Sequence, residues 1–332
     1  MTEDHIAEQI GAFLTSELGS DADVVVADLS RVTTGRSREN WLFEAHWTEA
    51  RGRVSEELIV RVDPDGGLIE TDRSVEFAVL QALEPTSVPA PRVRWLDADG
   101  SRLGRPSLVM VREPGECDYY ILGDESRPAA TRADLARRLC ELLAEVHRVD
   151  WRKAGLGRVF HDPGPAAAAA AVDHWEDILR RDQLEPYPEL ELAARWLRAH
   201  APRSPRTVLV HSDFKVGNVL LDSHDQIVAL LDWELAHLGD PHEDLGWVTQ
   251  PLRTREHYVP GSWERDELLG HYQEIGGFPV DPVAVHWWNV MSCYKTAVMQ
   301  SSGLRSFVEG RSDELYLPTT AVLGTLLDLV DS

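Results

Sequence analysis

Residues that could perform chemistry are concentrated in one short part of the second half of the chain. His211, Asp213 and Asn218 follow an apolar run with the spacing H-x-D-x-x-x-x-N, and Lys215 lies among them. Asp232 follows a second apolar run. Polar groups at the ends of buried strands are costly unless they are paired, which makes these residues candidates for function.

The same segment is acidic, with eight Asp and Glu residues and one Lys between Asp213 and Asp244. Carboxylates and an Asn side chain are oxygen ligands for a hard cation, and Mg²⁺ commonly takes one or two protein carboxylates together with nucleotide phosphates. The spacing also suits phosphoryl transfer, in which one Asp takes the acceptor's proton while an Asn and a second Asp hold the metal. Taken singly, each residue is equally a turn former, a strand cap or an exposed loop residue.

The first third of the chain predicts a small antiparallel α+β unit. Apolar and polar residues alternate from 41 to 47, which indicates a half-buried strand. Further apolar runs predict strands at residues 24–26, 58–62, 93–96 and 107–111. One short helix after the third strand has an apolar face made of Val75, Val79, Leu80 and Leu83.

The rest of the chain predicts mainly helices. Pro165 before an alanine run favours a helix that continues to about residue 181. Apolar periodicity predicts the other helices at residues 135–149, 189–200, 263–275, 283–302 and 319–329. We therefore expect an N-terminal lobe of residues 1–113 and a large helical C-terminal lobe of residues 114–332.

Composition restricts the class of protein. The chain has 332 residues, with 56 Asp and Glu against 33 Lys and Arg, and a net charge of −23. This charge argues against partners such as nucleic acid and anionic membranes. Three cysteines without a CxxC pair indicate neither a zinc ribbon nor a disulfide scaffold. The acidic N-terminus has no long apolar run, so we expect a cytoplasmic protein.

The segments HSDFKVGN and LLDWELAHLGDPHEDL resemble the signature of the aminoglycoside phosphotransferase and choline-kinase-like superfamily. The resemblance covers nearly the whole chain and is greatest to the branch with acyl-CoA-dehydrogenase-associated domains and uncharacterised bacterial phosphotransferases. It implies a bilobal protein-kinase-like fold of class α+β, with ATP and Mg²⁺ as cofactors. The implied roles are those of catalytic base for Asp213, Mg²⁺ ligands for Asn218 and Asp232, and orientation of the catalytic loop for His211.

Lys215 departs from many members of that superfamily, which carry His or Arg at this position. Its flexible ammonium group could reach the γ-phosphate, and we assign it a role in the transition state. The alternative is an exposed lysine in a loop.

The resemblance also implies a nucleotide site in the N-terminal lobe. Ser37 and Asn40 belong to a polar loop that would cover the phosphates. Arg61 on the third strand would bind the α- and β-phosphates, oriented by Glu76 on the next helix; the alternative is a surface ion pair. The residues expected around adenine are Met110, Val111 and Glu113.

The acceptor, a hydroxyl-bearing small molecule, is expected between the catalytic loop and the helical lobe. Residues 117–120 and 287–295 are candidates to line its site, although the aromatic residues among them would equally fill the core. The late helix has few acids, which favours a neutral or anionic acceptor over a polycationic aminoglycoside. A nucleotide-binding pseudokinase and a true aminoglycoside resistance kinase stay open, and a missing activation segment disfavours a protein kinase. The oligomeric state is not indicated.

Overall fold

The N-terminal sheet has five strands in the order β1-β2-β3-β5-β4, and all neighbours are antiparallel. The structure is a computed structural model that describes residues 3–32, 39–63, 66, 68 and 70–332. The strands are β1 (Val25–Arg31), β2 (Glu39–Glu49), β3 (Gly52–Val62), β4 (Val93–Asp97) and β5 (Ser107–Val111). The predicted five-stranded antiparallel sheet is thus confirmed. Ser37 lies outside the described residues.

Side chains alternate along β2 and determine which face of the sheet is buried. The buried residues of this strand are Trp41, Phe43, Ala45 and Trp47, and the residues between them are more exposed. Helix α1 (Glu3–Leu18) packs on this face through a stripe formed by Ile6, Ile10, Phe13 and Leu14. The sequence predicted one helix in this part of the chain, and α1 is a second.

The other helix of this part, α2 (Arg73–Leu83), follows β3 as predicted. Asp72 caps it by accepting a hydrogen bond from the Ser74 backbone amide at 2.9 Å. The helix carries the buried Glu76 to the side of the sheet where Arg61 of β3 lies. Asn40, which the sequence predicted in a polar loop, lies instead on β2, where it pairs with Arg61 of β3.

The C-terminal part is mainly helical, as predicted. Its helices are α3 (Ala129–Arg148), α4 (Ala167–Asp182), α5 (Pro188–His200), α6 (Pro241–Thr249), α7 (Thr254–His257), α8 (Arg265–Gly276), α9 (Pro282–Val308) and α10 (Thr320–Asp331). The alanine run opens α4 after a short turn that contains Pro165. Among the residues that the structure describes, no helix has both the length and the apolar character needed to cross a membrane.

Helix α9 is the centre of the helical core. It packs against α4, α5, α6 and α10, which leaves most of its residues buried. Trp287, Trp288 and Tyr294 are each at most 1% exposed. These three aromatic residues therefore fill the core, which was the alternative that the sequence left open.

Two short two-stranded sheets carry the segment with the chemistry. Strand β6 (Val208–Val210) pairs with β9 (His237–Gly239), and β7 (Val219–Leu221) pairs with β8 (Ile227–Leu230). The connection from the N-terminal sheet joins the β7–β8 sheet, because the Glu116 amide donates to the Leu221 carbonyl at 3.0 Å. The segments that follow β6 and β8 lie side by side, since His211 contacts the Leu231 carbonyl.

Candidate active site

His211 links these two loops. Its side chain is buried, its Nδ1 accepts a hydrogen bond from the Asp213 amide at 3.2 Å, and its Nε2 lies 2.9 Å from the Leu231 carbonyl. Burial lowers the pKa of His211 below its usual value, so the imidazole is neutral at pH 7 and Nε2–H is the donor to Leu231. His211 thus holds the backbone amide of Asp213 and the carbonyl of the residue before Asp232.

Asp244 of α6 binds the backbone of the loop that contains Asp213. Its carboxylate accepts hydrogen bonds from the backbone amides of His211 and Ser212, both at 2.8 Å, and from the ring of His147 at 2.9 Å. Burial opposes its ionisation, but the His147 hydrogen bond and the charges nearby outweigh burial and hold the pKa of Asp244 below its usual value. Its carboxylate therefore holds the backbone just before Asp213 in place.

The carboxylate of Asp213 lies within a small polar cluster. Lys215 Nζ donates to Asp213 Oδ2 at 2.6 Å. Asn218 Nδ2 donates to the Asp213 carbonyl at 2.9 Å and to Oδ2 at 3.1 Å. Lys215 is therefore part of the site rather than a solvated loop residue, and the Oδ1 atom of Asn218 is the one left to meet a cation.

Asp232 joins this cluster to the N-terminal sheet through Arg61. Arg61 Nη2 donates to Asp232 Oδ1 at 2.9 Å, and Nη1 donates to Glu76 Oε1 at 2.8 Å. Glu76 is fully buried, so the pair is not a surface ion pair. Burial opposes both charges, yet Glu76 and Asp232 raise the pKa of Arg61 above its usual range and Arg61 lowers that of Asp232.

The donor set fits Mg²⁺ bound together with phosphates. Asn218 and Asp232 each present an oxygen, and their loops are held together because the Leu231 amide donates to the Asn218 carbonyl at 2.8 Å. Among the described residues, no group of three or more His, Cys, Asp and Glu side chains could hold a metal ion. Mg²⁺ needs few protein ligands when phosphates and water complete its octahedron.

The predicted adenine site lies at the end of β5. Met110 is 5% exposed and packs within the core, where it pairs with residues of β3 and β4. The Val111 amide already donates to the Arg92 carbonyl at 2.8 Å. An adenine placed here would have to use the Val111 carbonyl or the backbone near Glu113.

The sequence analysis missed Arg73, a buried arginine beneath the nucleotide site. Arg73 contacts Glu76 through one nitrogen and Asp63 through another. It holds the second oxygen of Glu76 while the first faces Arg61. Its position at the start of a helix, next to the capping Asp72, carried no signal of this role.

A cavity of about 470 Å³ lies between α4 and the segment that follows Asp232. The residues that line it include Phe160, Trp175, Ala170, Leu235, Ser212 and Glu243. Neither residues 117–120 nor residues 287–295, which the sequence analysis offers as acceptor-site candidates, border this cavity. Tyr119 instead donates to Glu256 at 2.7 Å, and α9 is enclosed by other helices.

Residues 28–279 match the family model described as "Phosphotransferase enzyme family". The chain belongs to this family. The resemblance that its two signature segments carry is therefore confirmed. All the site residues that the structure describes, from Asn40 to Asp232, lie within the matched range.

Curated relatives of this phosphotransferase family member include two mouse proteins. Acyl-CoA dehydrogenase family member 10 of Mus musculus is 30% identical over 213 residues, which is 62% of this chain and 19% of that protein. Acyl-CoA dehydrogenase family member 11 of Mus musculus is 25% identical over 335 residues, covering 94% of this chain and 41% of that protein. The chain thus spans less than half the length of either relative.

Solved structures with the same fold include a proposed aminoglycoside phosphotransferase from Ralstonia eutropha. It is 21% identical, with a TM-score of 0.68 over 98% of this chain and 94% of that one. A second is an aminoglycoside phosphotransferase in ternary complex with streptomycin and ATP, 17% identical, with a TM-score of 0.57 over 87% of this chain and 89% of that one. These similarities confirm the bilobal kinase-like fold of the family member.

Proposed function

We propose that this phosphotransferase moves the γ-phosphoryl group of Mg·ATP to a hydroxyl group of a small molecule, with Asp213 as the base. The observation that carries the proposal is the cluster in which Asp213, held by Lys215 and Asn218, lies beside the Asp232–Arg61 pair. A neighbouring fold solved with bound ATP supports the choice of nucleotide. We also propose that residues 1–113 form the nucleotide lobe and residues 114–332 the acceptor lobe.

On this proposal Asp213 acts on the acceptor. Its carboxylate accepts the proton of the acceptor hydroxyl as the oxygen bonds to phosphorus, and the bond from the γ-phosphorus to the bridging oxygen breaks to release ADP. Bound Mg²⁺, held by Asn218 and Asp232, would neutralise charge on the phosphate oxygens. The products are a phosphate ester, ADP and the proton on Asp213.

The side chains of Arg61 and Lys215 would bind the phosphates of ATP, the phosphoryl donor. Arg61 has a planar guanidinium held by the buried Glu76, which suits hydrogen bonding to the α- and β-phosphates. Lys215 now touches Asp213 Oδ2, and its flexible chain would let the ammonium counter the charge of the γ-phosphoryl group. Both residues act mainly where negative charge collects during transfer.

We place the acceptor in the cavity beside α4, because Ser212, the residue before Asp213, forms part of its wall. The four carboxylates that line this cavity already have partners in the chain. Glu70 contacts Arg181, Asp72 contacts Ser74, Glu234 contacts Arg61, and Glu243 contacts His237. Much of the remaining wall is apolar. This lining favours a neutral or anionic alcohol over a polycationic aminoglycoside.

The test is a screen of hydroxyl compounds, aminoglycosides included, in which release of ADP from Mg·ATP is measured for the wild type. Asp213→Asn and a reaction with chelated metal serve as blanks. We expect ADP release above both blanks with at least one non-aminoglycoside alcohol. Strong stimulation by aminoglycosides alone would contradict the acceptor class, and ATP binding without transfer to any compound would favour a pseudokinase.

We also propose a cytoplasmic location, since ATP is the expected donor and all three cysteines, Cys117, Cys140 and Cys293, are free thiols. The charge of −23 supports a protein that binds neither nucleic acid nor anionic membranes.

A further inference from the structure

A lysine of the core helix α9 reaches the catalytic loop from behind. Lys295 is 4% exposed, and its Nζ donates to the Ser212 hydroxyl at 2.6 Å and to the Ser212 carbonyl. The ammonium also lies 4.5 Å from the ring centroid of Trp247 and 5.4 Å from that of Trp175. It therefore contacts the residue that immediately precedes Asp213.

Ser212 adopts a backbone conformation that is unfavourable for serine. Its φ is 68°, in the left-handed region that glycine adopts readily and other residues adopt at a cost of roughly 1 kcal/mol. Its polar groups are all held: the amide donates to Asp244 at 2.8 Å and the hydroxyl lies 3.1 Å from Glu243 Oε1. Lys295 supplies the remaining contact, to the carbonyl.

A buried ammonium is a poor way to stabilise a helical core. Removing a charge from water is costly, and well-packed apolar residues often replace buried ion pairs without loss of stability. Burial lowers the pKa of Lys295, and the carboxylates of Glu243, Asp213 and Asp244 oppose that shift. Glu243 and Asp244 of α6 and Asp213 of the catalytic loop thus offset part of the cost, so the ammonium is stabilised by the groups around that loop rather than by the apolar core.

We propose that Lys295 is a positioning residue for phosphoryl transfer. Its ammonium holds Ser212 in the left-handed conformation and thereby directs the Asp213 carboxylate toward the acceptor. This inference rests on the proposed function, because it assigns Lys295 to the same reaction. It predicts an effect on the rate of transfer rather than on nucleotide affinity, since Lys295 contacts Ser212, whereas Arg61 contacts Asp232 and Glu76.

Lys295→Met tests the proposal, because methionine fills similar volume without the ammonium. We expect kcat to fall about 100-fold, the size of effect that a small misplacement of a catalytic group produces. The KM for Mg·ATP should stay within about threefold of wild type, and Lys295→Arg should restore part of the rate. Unchanged kcat in Lys295→Met would overturn the proposal.

Asn289→Leu is the matched control on the same helix. Asn289 is also buried and ties α9 to α6 by donating to the Gly246 carbonyl at 2.7 Å and to Thr249 at 2.8 Å. It does not touch the catalytic loop, so kcat should stay close to wild type even where stability falls. An equal loss of kcat in this variant would show a general effect of disturbing α9 and would overturn the specific role of Lys295.

Ser212→Gly tests whether Lys295 acts on kcat by holding the backbone of residue 212 at positive φ. Glycine adopts positive φ without the penalty that serine meets. Lys295→Met should therefore cost less than about tenfold in kcat on the Ser212→Gly background. The same 100-fold loss on both backgrounds would contradict control through the Ser212 backbone.

Crystal structures of the wild type and Lys295→Met separate this inference from the proposed function. We expect Ser212 to leave the left-handed region in the variant and Asp213 to move with it; an unchanged Ser212 backbone would overturn the inference. If the wild type transfers phosphate to no acceptor, the proposed function fails, and the two structures alone decide whether Lys295 holds the loop.

Discussion

At the scale of single residues, Arg61 is the side chain that connects the two halves of the site. One of its nitrogens meets Glu76 of α2 and another meets Asp232 after β8, at 2.8 and 2.9 Å. Because Asp232 is also the proposed Mg²⁺ ligand, Arg61 is placed where the phosphates and the metal would meet. Removing the Arg61 guanidinium should therefore weaken the binding of Mg·ATP.

We predict that Arg61→Met raises the KM for Mg·ATP about tenfold or more, since hydrogen bonds that involve a charged group contribute roughly 1.5–3 kcal/mol. Initial-rate kinetics at varied ATP concentration would measure this. Arg53→Met, an exposed position on the same strand, is the matched control and should leave KM unchanged. Equal KM values for Arg61→Met and wild type would remove Arg61 from the nucleotide site.

Site residues that are close together in the sequence could be predicted to share a loop, whereas contacts between residues far apart in the sequence could not be predicted. His211, Asp213 and Asn218 lie within eight positions of one another, so the motif shows directly which side chains share a loop. Lys295 meets Ser212 across 83 positions. No local pattern in the sequence of α9 shows which distant residue this lysine meets, and the sequence analysis includes it only as one candidate among the residues of its helix.

At the scale of elements, α4 forms one wall of the proposed acceptor cavity. Ala170 lines the cavity, whereas its neighbour Ala169 does not, and both are exposed. Small residues along this helix leave the space that an acceptor would occupy. A large side chain at Ala170 would fill that space without disturbing the core.

We predict that Ala170→Trp raises the KM for the acceptor about tenfold or more while the KM for Mg·ATP stays unchanged, because pocket volume is a strong determinant of substrate selection. Ala169→Trp is the control and should behave as wild type. Kinetics with the acceptor found by the screen would measure both. An acceptor KM that is equal in the two variants would place the acceptor elsewhere.

Most elements of the fold could be predicted, because apolar periodicity in β2 and in the long helices is regular. Helix α1 was missed although Ile6, Ile10, Phe13 and Leu14 have helical spacing. The helix predicted at residues 283–302 is also shorter than the observed α9, which continues to Val308.

At the scale of the whole molecule, stability should depend on pH through His257. This residue is 4% exposed, on α7, with its ring 6.5 Å from that of Phe214 in the catalytic loop. Burial, together with Arg253 and Lys215, lowers the pKa of His257 to about 3. The unfolded chain binds this proton near pH 6.5, so the folded state loses stability as the pH falls below that value.

We predict that His257 costs the wild type about 1 kcal/mol of unfolding free energy between pH 7.5 and 5.5. His257→Phe keeps the ring and removes the proton site, so this variant should lose less over the same interval. Urea unfolding at the two pH values would measure the difference. A pH dependence equal in both proteins would contradict the assigned pKa shift.

The account as a whole depends on Asp213 as the base of a phosphoryl transfer. The direct measurement is kcat for the acceptor and Kd for Mg·ATP in Asp213→Asn, with Asp134→Asn on the exposed face of α3 as a control. We predict that kcat falls at least about 100-fold, as expected for loss of a general base, while Kd stays close to wild type. Transfer by Asp213→Asn at the wild-type rate would contradict the account.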